Sequence, residues 1–168
     1  MEKFYKDLSL EFKDSTFDFK DVKYMGNGGS YMIVSTYYIY VPYKNYMIET
    51  ISELGNSNMG KISVCLNHNV IPNLKIDTID HFTNLFLRRK NLLKVKCTTD
   101  SFKKILLEAA EFSNLNDVIR KNSLEPKIYN ERNENLHYIK TDYSLQFEDK
   151  IGGLRALINF YKRIIDHL

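Results

Sequence analysis

The chain has 168 residues, and 43% of them are hydrophobic, including 12 tyrosines and 10 phenylalanines. This supply of apolar side chains suits one buried core, and with only 7 glycines and 3 prolines the composition excludes a collagen-like chain and extended disorder. The net charge of +3 is small, but residues 61–104 carry nine basic and three acidic side chains, so the middle of the chain is basic.

The first forty residues predict strands joined by two turns. Apolar side chains alternate around the polar stretch 13–16, which favours a short hairpin built from Leu8, Leu10, Phe12, Phe17 and Phe19. Phe4, Tyr5 and Leu8 could equally start a helix. The segment 26–29 predicts a tight turn, because Gly and Asn tolerate positive φ angles. The β-branched and aromatic run 30–41 predicts a central strand covered by helices, which Pro42 ends.

A helix and two strands are predicted next. Asn45 can cap a helix that ends before Gly55, with apolar side chains at helical spacing at Met47, Ile48, Ile51 and Leu54. The strands 61–66 and 74–79 follow, separated by the polar turn 67–72.

The segment 80–107 has the clearest pattern in the chain. Alternation over 82–89 predicts a strand, and Arg88, Lys90 and Asn91 supply a polar turn. A second strand follows, in which Leu93, Val95 and Cys97 alternate with Lys94 and Lys96. Side-chain oxygens of residues 98–100 can cap a helix that runs to residue 112, with Phe102, Ile105, Leu106 and Ala109 on one face.

The last third predicts a short helix, a hairpin and a long helix. Ser113 or Asn114 caps the short helix, and strands 127–130 and 135–140 pair across the turn 131–134. The long helix has a broad apolar stripe formed by Ile151, Leu154, Leu157, Ile158, Tyr161, Ile164, Ile165 and Leu168, opposite Arg155, Lys162, Arg163 and Asp166. Gly152 and Gly153 at its start indicate close packing or a later start.

This order of elements predicts an α+β fold, in which a mainly antiparallel sheet carries helices on one face and the chain closes with an amphipathic helix. No repeat or linker divides the sequence, which indicates a single domain over 1–168. The oligomeric state stays open.

The sequence also favours a cytoplasmic location. Charged residues interrupt the first twelve positions, so no secretory signal is expected, and no stretch approaches the roughly 20 apolar residues that cross a bilayer. Cys65 and Cys97 lie in strand-like patterns without partners at metal spacing, which favours free thiols in a reducing compartment over one disulfide.

No motif predicts a catalytic site, a metal or a cofactor. The segment 26–29 precedes a strand, whereas a phosphate-binding loop precedes a helix. Asp77, Asp80 and His81 fit no metal-ligand spacing. His81-Phe82-Thr83 has the His-x-Thr form of two-histidine phosphoesterases but lacks a second copy. A solvated turn is favoured over an acid and base pair for Glu131, Glu134, His137 and Asp142.

One basic group is the candidate binding site. It comprises Arg88, Arg89, Lys90, Lys94 and Lys96. On the tip of a hairpin these side chains could contact an acidic protein, an anionic membrane or a nucleic-acid backbone, or they could form the solvated face of an amphipathic strand.

The hydrophobic spacing over 75–168 resembles that of a known group of proteins. It rests on Phe82, Phe86, Leu87, Val95, Thr99-Asp100, Ile105-Leu106-Leu107, Leu115, Ile119, Ile128, Ile139, Leu154 and Leu157. In this spacing the segment looks like the soluble module of uncharacterised bacterial proteins that are often tethered to membranes. The resemblance implies an α+β fold and provides no catalytic residues.

Three functional hypotheses follow. The leading hypothesis is a small bacterial protein that binds another protein and acts as an immunity or inhibitor protein for a toxin or enzyme. It rests on a compact chain that is rich in tyrosine, which anchors interfaces. The second is a phosphate-binding module that uses the basic group. The third is an enzyme whose site is assembled from distant residues, with His81 or His137 beside a carboxylate in a concave pocket.

Overall fold

The computed structural model describes residues 1–25, 30–66, 71–79 and 92–168, which form eight strands and four helices. The strands are β1 (Thr16–Met25), β2 (Tyr31–Tyr43), β3 (Tyr46–Leu54), β4 (Met59–Cys65), β5 (Leu74–Thr78), β6 (Leu93–Cys97), β7 (Lys127–Asn133) and β8 (Leu136–Ser144). The helices are α1 (Glu2–Leu10), α2 (Asp100–Phe112), α3 (Leu115–Asn122) and α4 (Lys150–Ile165).

The eight strands form one antiparallel sheet in the order β1-β2-β3-β4-β8-β7-β5-β6, with β1 and β6 at its edges. Its inner face is buried from the second half of β2 across to β5. One row of opposed residues on this face, none more than 1% exposed, runs through Ile39, Thr50, Ile62, Thr141, Ile128 and Ile76. The helices cover this inner face, which confirms the predicted α+β fold with a mainly antiparallel sheet and helices on one face.

Helix α4 lies at the centre of the helical layer and confirms the predicted C-terminal amphipathic helix. It contacts the other three helices as well as β3 and β4. The hydroxyl of Tyr161 lies 2.7 Å from Thr141 Oγ1 and donates to the Ile62 carbonyl at 3.3 Å, which fixes the helix over the middle of the sheet. The glycines at its start are closely packed, because a Cβ on Gly153 would lie 2.6 Å from the ring of Phe147.

The predicted hairpin over residues 8–19 is wrong. Residues 2–10 form α1, and Tyr5, Leu8 and Phe12 are buried at spacings of three and four. Leu10, which the hairpin pattern needed on the inside, is exposed. The helical alternative therefore describes this segment, and only Thr16 onward is strand.

The predicted helix over residues 45–55 is also wrong. This segment is β3, and Asn45 lies in a two-residue turn between β2 and β3. Its buried positions alternate as Ile48, Thr50 and Ser52, so two inward side chains are polar while Met47 on the other face is exposed. The false helical spacing combined apolar residues of both faces, with Met47 and Ile51 on the outer face and Ile48 and Leu54 on the inner face.

Other predicted elements hold with small changes. The strands 61–66, 74–79 and 93–97, both helices after residue 100, and the late hairpin are confirmed. Strand β2 continues one residue past Pro42, and Thr99 occupies the N-cap of α2 without a capping side-chain bond. The predicted turns at 26–29 and within 67–72 and the strand 82–89 lie wholly or partly outside the described residues.

Candidate protein-binding surface

The β1–β2 pair extends beyond the rest of the sheet. Strand β1 pairs with β2 as far as Met25 opposite Tyr31, whereas β3 pairs with β2 only from Ser35 onward. Residues 22–25 and 31–34 therefore form a two-stranded projection that has no third strand beside it in the described part of the chain. We call these eight residues the arm.

Both faces of the arm carry exposed apolar side chains, whereas Val34 at its base is buried. Five of its side chains are large, hydrophobic and between 42% and 75% exposed: Tyr24, Met25, Tyr31, Met32 and Ile33. Directly opposed residues of an antiparallel pair point to the same face, so Tyr24 and Met32 share one face and Met25 and Tyr31 share the other. A strand pair with a solvated face is expected to alternate apolar with polar side chains. Clustered exposed apolar residues of this kind mark interaction sites.

The base of the arm rests on a well-ordered turn between β3 and β4. Gly55 has a φ of +112°, and a Cβ there would lie 2.3 Å from the Ile33 carbonyl oxygen, so only glycine allows this close approach. Gly55 N donates to Asn58 Oδ1 at 3.1 Å and Ser57 Oγ donates to Glu53 Oε1 at 2.7 Å. Hydrogen bonds from Ser57 hold the pKa of Glu53 below its usual value. A preorganised support reduces the entropy lost on binding.

The charges near the arm balance. Strand β1 carries Asp18, Lys20, Asp21 and Lys23, all exposed, with two of each sign. The arm is therefore suited to apolar contact and backbone pairing more than to long-range attraction of a charged partner.

Only part of the predicted basic group can be placed. Arg88, Arg89 and Lys90 lie outside the described residues, as do His81 and the turn around it. Lys94 and Lys96 are exposed on β6, which pairs only with β5 among the described residues. Lysines on a strand at the end of a sheet disfavour pairing with other chains.

The outer face of the sheet, opposite the helices, carries a row of alternating charges. Cross-strand pairing places Lys61 opposite Asp142, Asp142 opposite Lys127, and Asp77 opposite Lys94. Opposite charges in such positions stabilise a solvated sheet face. Lys96 departs from this pattern because it lies opposite Lys75, whose ammonium is 3.4 Å from Asp77.

The predicted polar cluster of the late hairpin does not converge on a histidine. Glu131 accepts from Lys140 Nζ at 2.8 Å, and Asp142 accepts from the Tyr129 hydroxyl at 2.9 Å. Burial and this bond raise the pKa of Tyr129 to about 12. Both carboxylates are therefore engaged by cross-strand neighbours other than His137, and the arrangement supports the sheet.

A groove of about 750 Å³ crosses the outer face near the end of β3, β4 and β8. It is open and mixed in charge, with lining residues that include Glu53, Lys61, Glu125, Lys127 and Asp142. Because both signs of charge are interspersed, the groove selects for no simple anion or cation. It continues the polar outer face and extends the surface available to a large partner.

Metal-binding and membrane-spanning features are not found in the described ranges. No three His, Cys, Asp or Glu side chains there come together as a metal site, and the half-buried Cys65 and Cys97 form no disulfide bond. None of the helices that the structure describes is long and apolar enough to span a membrane.

Comparisons of the chain with protein-family models, with curated proteins and with solved structures find no match. The arm itself was not predicted as a site. The available signal was that apolar side chains continue on both strands up to the turn 26–29, as Tyr24-Met25 and Tyr31-Met32-Ile33.

Proposed function

We propose that this protein acts by binding another protein through the arm, and that its role is that of an inhibitor or immunity protein that neutralises a toxin or enzyme. The observation that supports this proposal is the exposure of five large apolar side chains on a projecting, well-supported strand pair. Tyrosine and methionine are enriched in interface cores, and the arm has two of each.

The shape of the arm favours a concave partner. A two-stranded projection complements a cleft, and the substrate sites of enzymes are concave and largely apolar. The five side chains expose on the order of 500 Å², whereas a stable complex buries about 800 Å² on each partner. The partner should therefore also contact the sheet next to the arm.

The proposed setting is the cytoplasm of a bacterial cell. Cys65 and Cys97 are half-buried cysteines that form no disulfide bond, and a reducing compartment keeps cysteines in that state.

Site-specific photo-crosslinking in the native host tests this proposal. A photoreactive phenylalanine at Met32 should capture one protein reproducibly, and the same probe at Lys121, exposed on α3, serves as the control. With the captured protein purified, the double variant Tyr31→Ser, Met32→Ser should weaken binding by about tenfold or more at unchanged Tm. If the captured protein is an enzyme or toxin, the native chain should suppress its activity and the double variant should not. Equal capture at Met32 and Lys121, or unaltered affinity of the double variant, would contradict the proposal.

A second candidate function is phosphate binding at the β5–β6 edge. The cross-strand pair of Lys75 and Lys96 opposes like charges, and Lys94 lies opposite Asp77, so β5 and β6 carry three lysines and one carboxylate on this face. An anion would relieve this repulsion. Affinity for duplex DNA or anionic vesicles should then fall steeply with salt, with a log–log slope near −0.9 per phosphate contact on DNA. Binding that is absent at low salt, or unchanged by Lys94→Glu with Lys96→Glu, would exclude it.

A further inference from the structure

Strand β1 forms a long edge of the sheet. It pairs with β2 on one side, and no described residue pairs with its other side. Eight of its ten residues are exposed and the other two are half-buried. A long unpaired edge presents a row of backbone donors and acceptors to any strand that fits it.

We propose that two copies of this chain associate by antiparallel pairing of β1 with β1, about a twofold axis at Val22. Such an axis stands perpendicular to the sheet, so residues that oppose each other point to the same face. With the axis at Val22, apolar residues oppose apolar residues and no like charges oppose each other. Val22 opposes Val22, Asp21 opposes Lys23 of the second copy, and Phe19 opposes Met25. Lys20 opposes Tyr24, whose ring can accept the lysine stem.

Neighbouring registers of the same pairing are poorer. An axis at Lys20 opposes Lys20 to itself and Phe19 to Asp21. An axis at Asp21 opposes two like carboxylates and sets Phe19 against Lys23. An axis at Phe19 gains a favourable pair of Asp18 with Lys20, but it places Phe17 against Asp21. Like charges directly opposed in a sheet are destabilising, which disfavours the Lys20 and Asp21 registers, and the opposition of Phe17 to Asp21 disfavours the Phe19 register. The Val22 register is therefore favoured.

This pairing goes beyond the proposed function and does not depend on it. It uses the free backbone edge of β1 and engages Tyr24 and Met25 of the arm, whereas the test of the proposed function rests on Tyr31 and Met32, which lie on β2. Joining two eight-stranded sheets at β1 continues the inner and outer faces across the axis and brings the two arms side by side. Because only seven residues of each copy pair, the affinity of the dimer should be low, and dilution should dissociate it.

Engineered cysteines test the register in the full chain. Directly opposed Cα atoms lie about 4.5–5.5 Å apart, within the range of a disulfide. Mild oxidation of Val22→Cys should therefore give a covalent dimer, and peptide mass mapping should show that its disulfide joins position 22 of one copy to position 22 of the other. Lys20→Cys is the matched control, because the two copies of residue 20 would lie about 13 Å apart along the strand. A disulfide through Phe19→Cys instead, equal crosslinking of Lys20→Cys, or no crosslink at all would overturn the proposal.

A charge exchange tests the same contact without a covalent bond. Sedimentation velocity over micromolar to submillimolar concentrations should show the native chain in a monomer–dimer equilibrium. Asp21→Lys creates two Lys–Lys oppositions and should weaken the dimer by about tenfold or more, and adding Lys23→Asp should restore affinity to within about threefold. Asp18→Lys, which has no opposed residue within the strand in this register, is the control. A native chain that stays monomeric throughout, or a double variant as weak as Asp21→Lys, would refute the self-association. Neither result bears on crosslinking at Met32.

Discussion

Helix α4 and the arm are both rich in large apolar side chains, yet they have opposite environments. In α4, Leu154, Leu157 and Ile158 are completely buried beneath or between other elements. In the arm, Tyr31 and Met32 are exposed although they belong to a strand whose other half is core. The same strand β2 buries Ile39 and Val41 where β3 and α1 are its neighbours.

The apolar content of a segment determines which residues can be buried, and the neighbouring elements determine which of them are buried. Helix α4 contacts three helices and two strands, so its stripe is covered from several directions. The arm has one strand pair and one supporting turn. Burial in α4 therefore stabilises the monomer, whereas burial of the arm requires a second molecule.

The largest expected effect comes from removing α4. A chain that ends at Lys150 loses a stripe whose burial contributes on the order of 10 kcal/mol of gross hydrophobic free energy, comparable with the net stability of a typical domain. It should therefore show no cooperative thermal transition by circular dichroism. Retention of a cooperative transition at the native Tm would mean that the stripe serves a partner, as the arm is proposed to do.

Two matched single substitutions should differ in how much they lower the free energy of unfolding. Leu157→Ala leaves a cavity in a fully buried site and should lower the free energy of unfolding by about 2–5 kcal/mol. Ile33→Ala on the half-exposed arm should lower it by less than about 1 kcal/mol. Chemical denaturation of both variants measures the two values. Equal losses would show that the arm is part of the core.

Much of the fold could be predicted from sequence because several patterns are local. The alternation of Leu93, Val95 and Cys97 and most of the stripe of α4 were predicted at the positions where the structure has them, whereas Leu168 lies beyond the helix and is exposed. The two errors share a cause, which is that the polarity of some side chains does not match their burial. In β3 the inward residues Thr50 and Ser52 are polar, which hides the period of two. Near the end of α1 the exposed Leu10 is apolar, which produced the alternation expected of a strand.

The candidate site was harder to predict because it depends on strand order. The run 30–41 has the composition of a core strand, and nothing within it shows that β3 starts to pair only at Ser35. The edge position of β1 is likewise a long-range property. The basic group could be recognised in the sequence because its charge density is local. Its described members, Lys94 and Lys96, lie on β6, at the other end of the described strand order from the arm.

Buried tyrosines should distinguish the core from the arm at alkaline pH. Burial raises the pKa of Tyr143 and Tyr161 above the ordinary 10.0, and burial with the Asp142 bond raises that of Tyr129 to about 12. A raised folded-state pKa contributes stability that is complete below pH 10 and is lost as the pH rises through the folded value. The free energy of unfolding should therefore fall between about pH 10 and 12.

The Tyr143 hydroxyl offers the sharpest variant for this test. The hydroxyls of Tyr143, Tyr5 and Ser52 are buried, and none of the three makes a hydrogen bond of good geometry. Burial raises the pKa of Tyr143, and the nearby Ser52 hydroxyl partly offsets this rise. Tyr143→Phe should change stability little at pH 7 and should reduce the alkaline loss. Tyr24→Phe on the arm is the exposed control. If Tyr143→Phe left the fall in the free energy of unfolding at alkaline pH unaltered, Tyr143 would not be one of its causes.

The smallest predicted effect concerns Lys162, which the helical pattern of α4 places among solvated side chains. The structure instead sets its ammonium 4.4 Å from the centre of the Phe12 ring and 5.3 Å from that of Tyr43, and burial lowers its pKa. Cation–π contact and packing of the stem should make Lys162→Ala destabilising by roughly 1 kcal/mol. Lys162→Met keeps the stem and should lose less. Lys121→Ala, at an exposed position on α3, should change stability by less than about 0.5 kcal/mol in denaturant titrations. Equal, near-zero effects of Lys162→Ala and Lys121→Ala would show that Lys162 makes no stabilising contact. The helix α4 would then be stabilised through its apolar stripe alone.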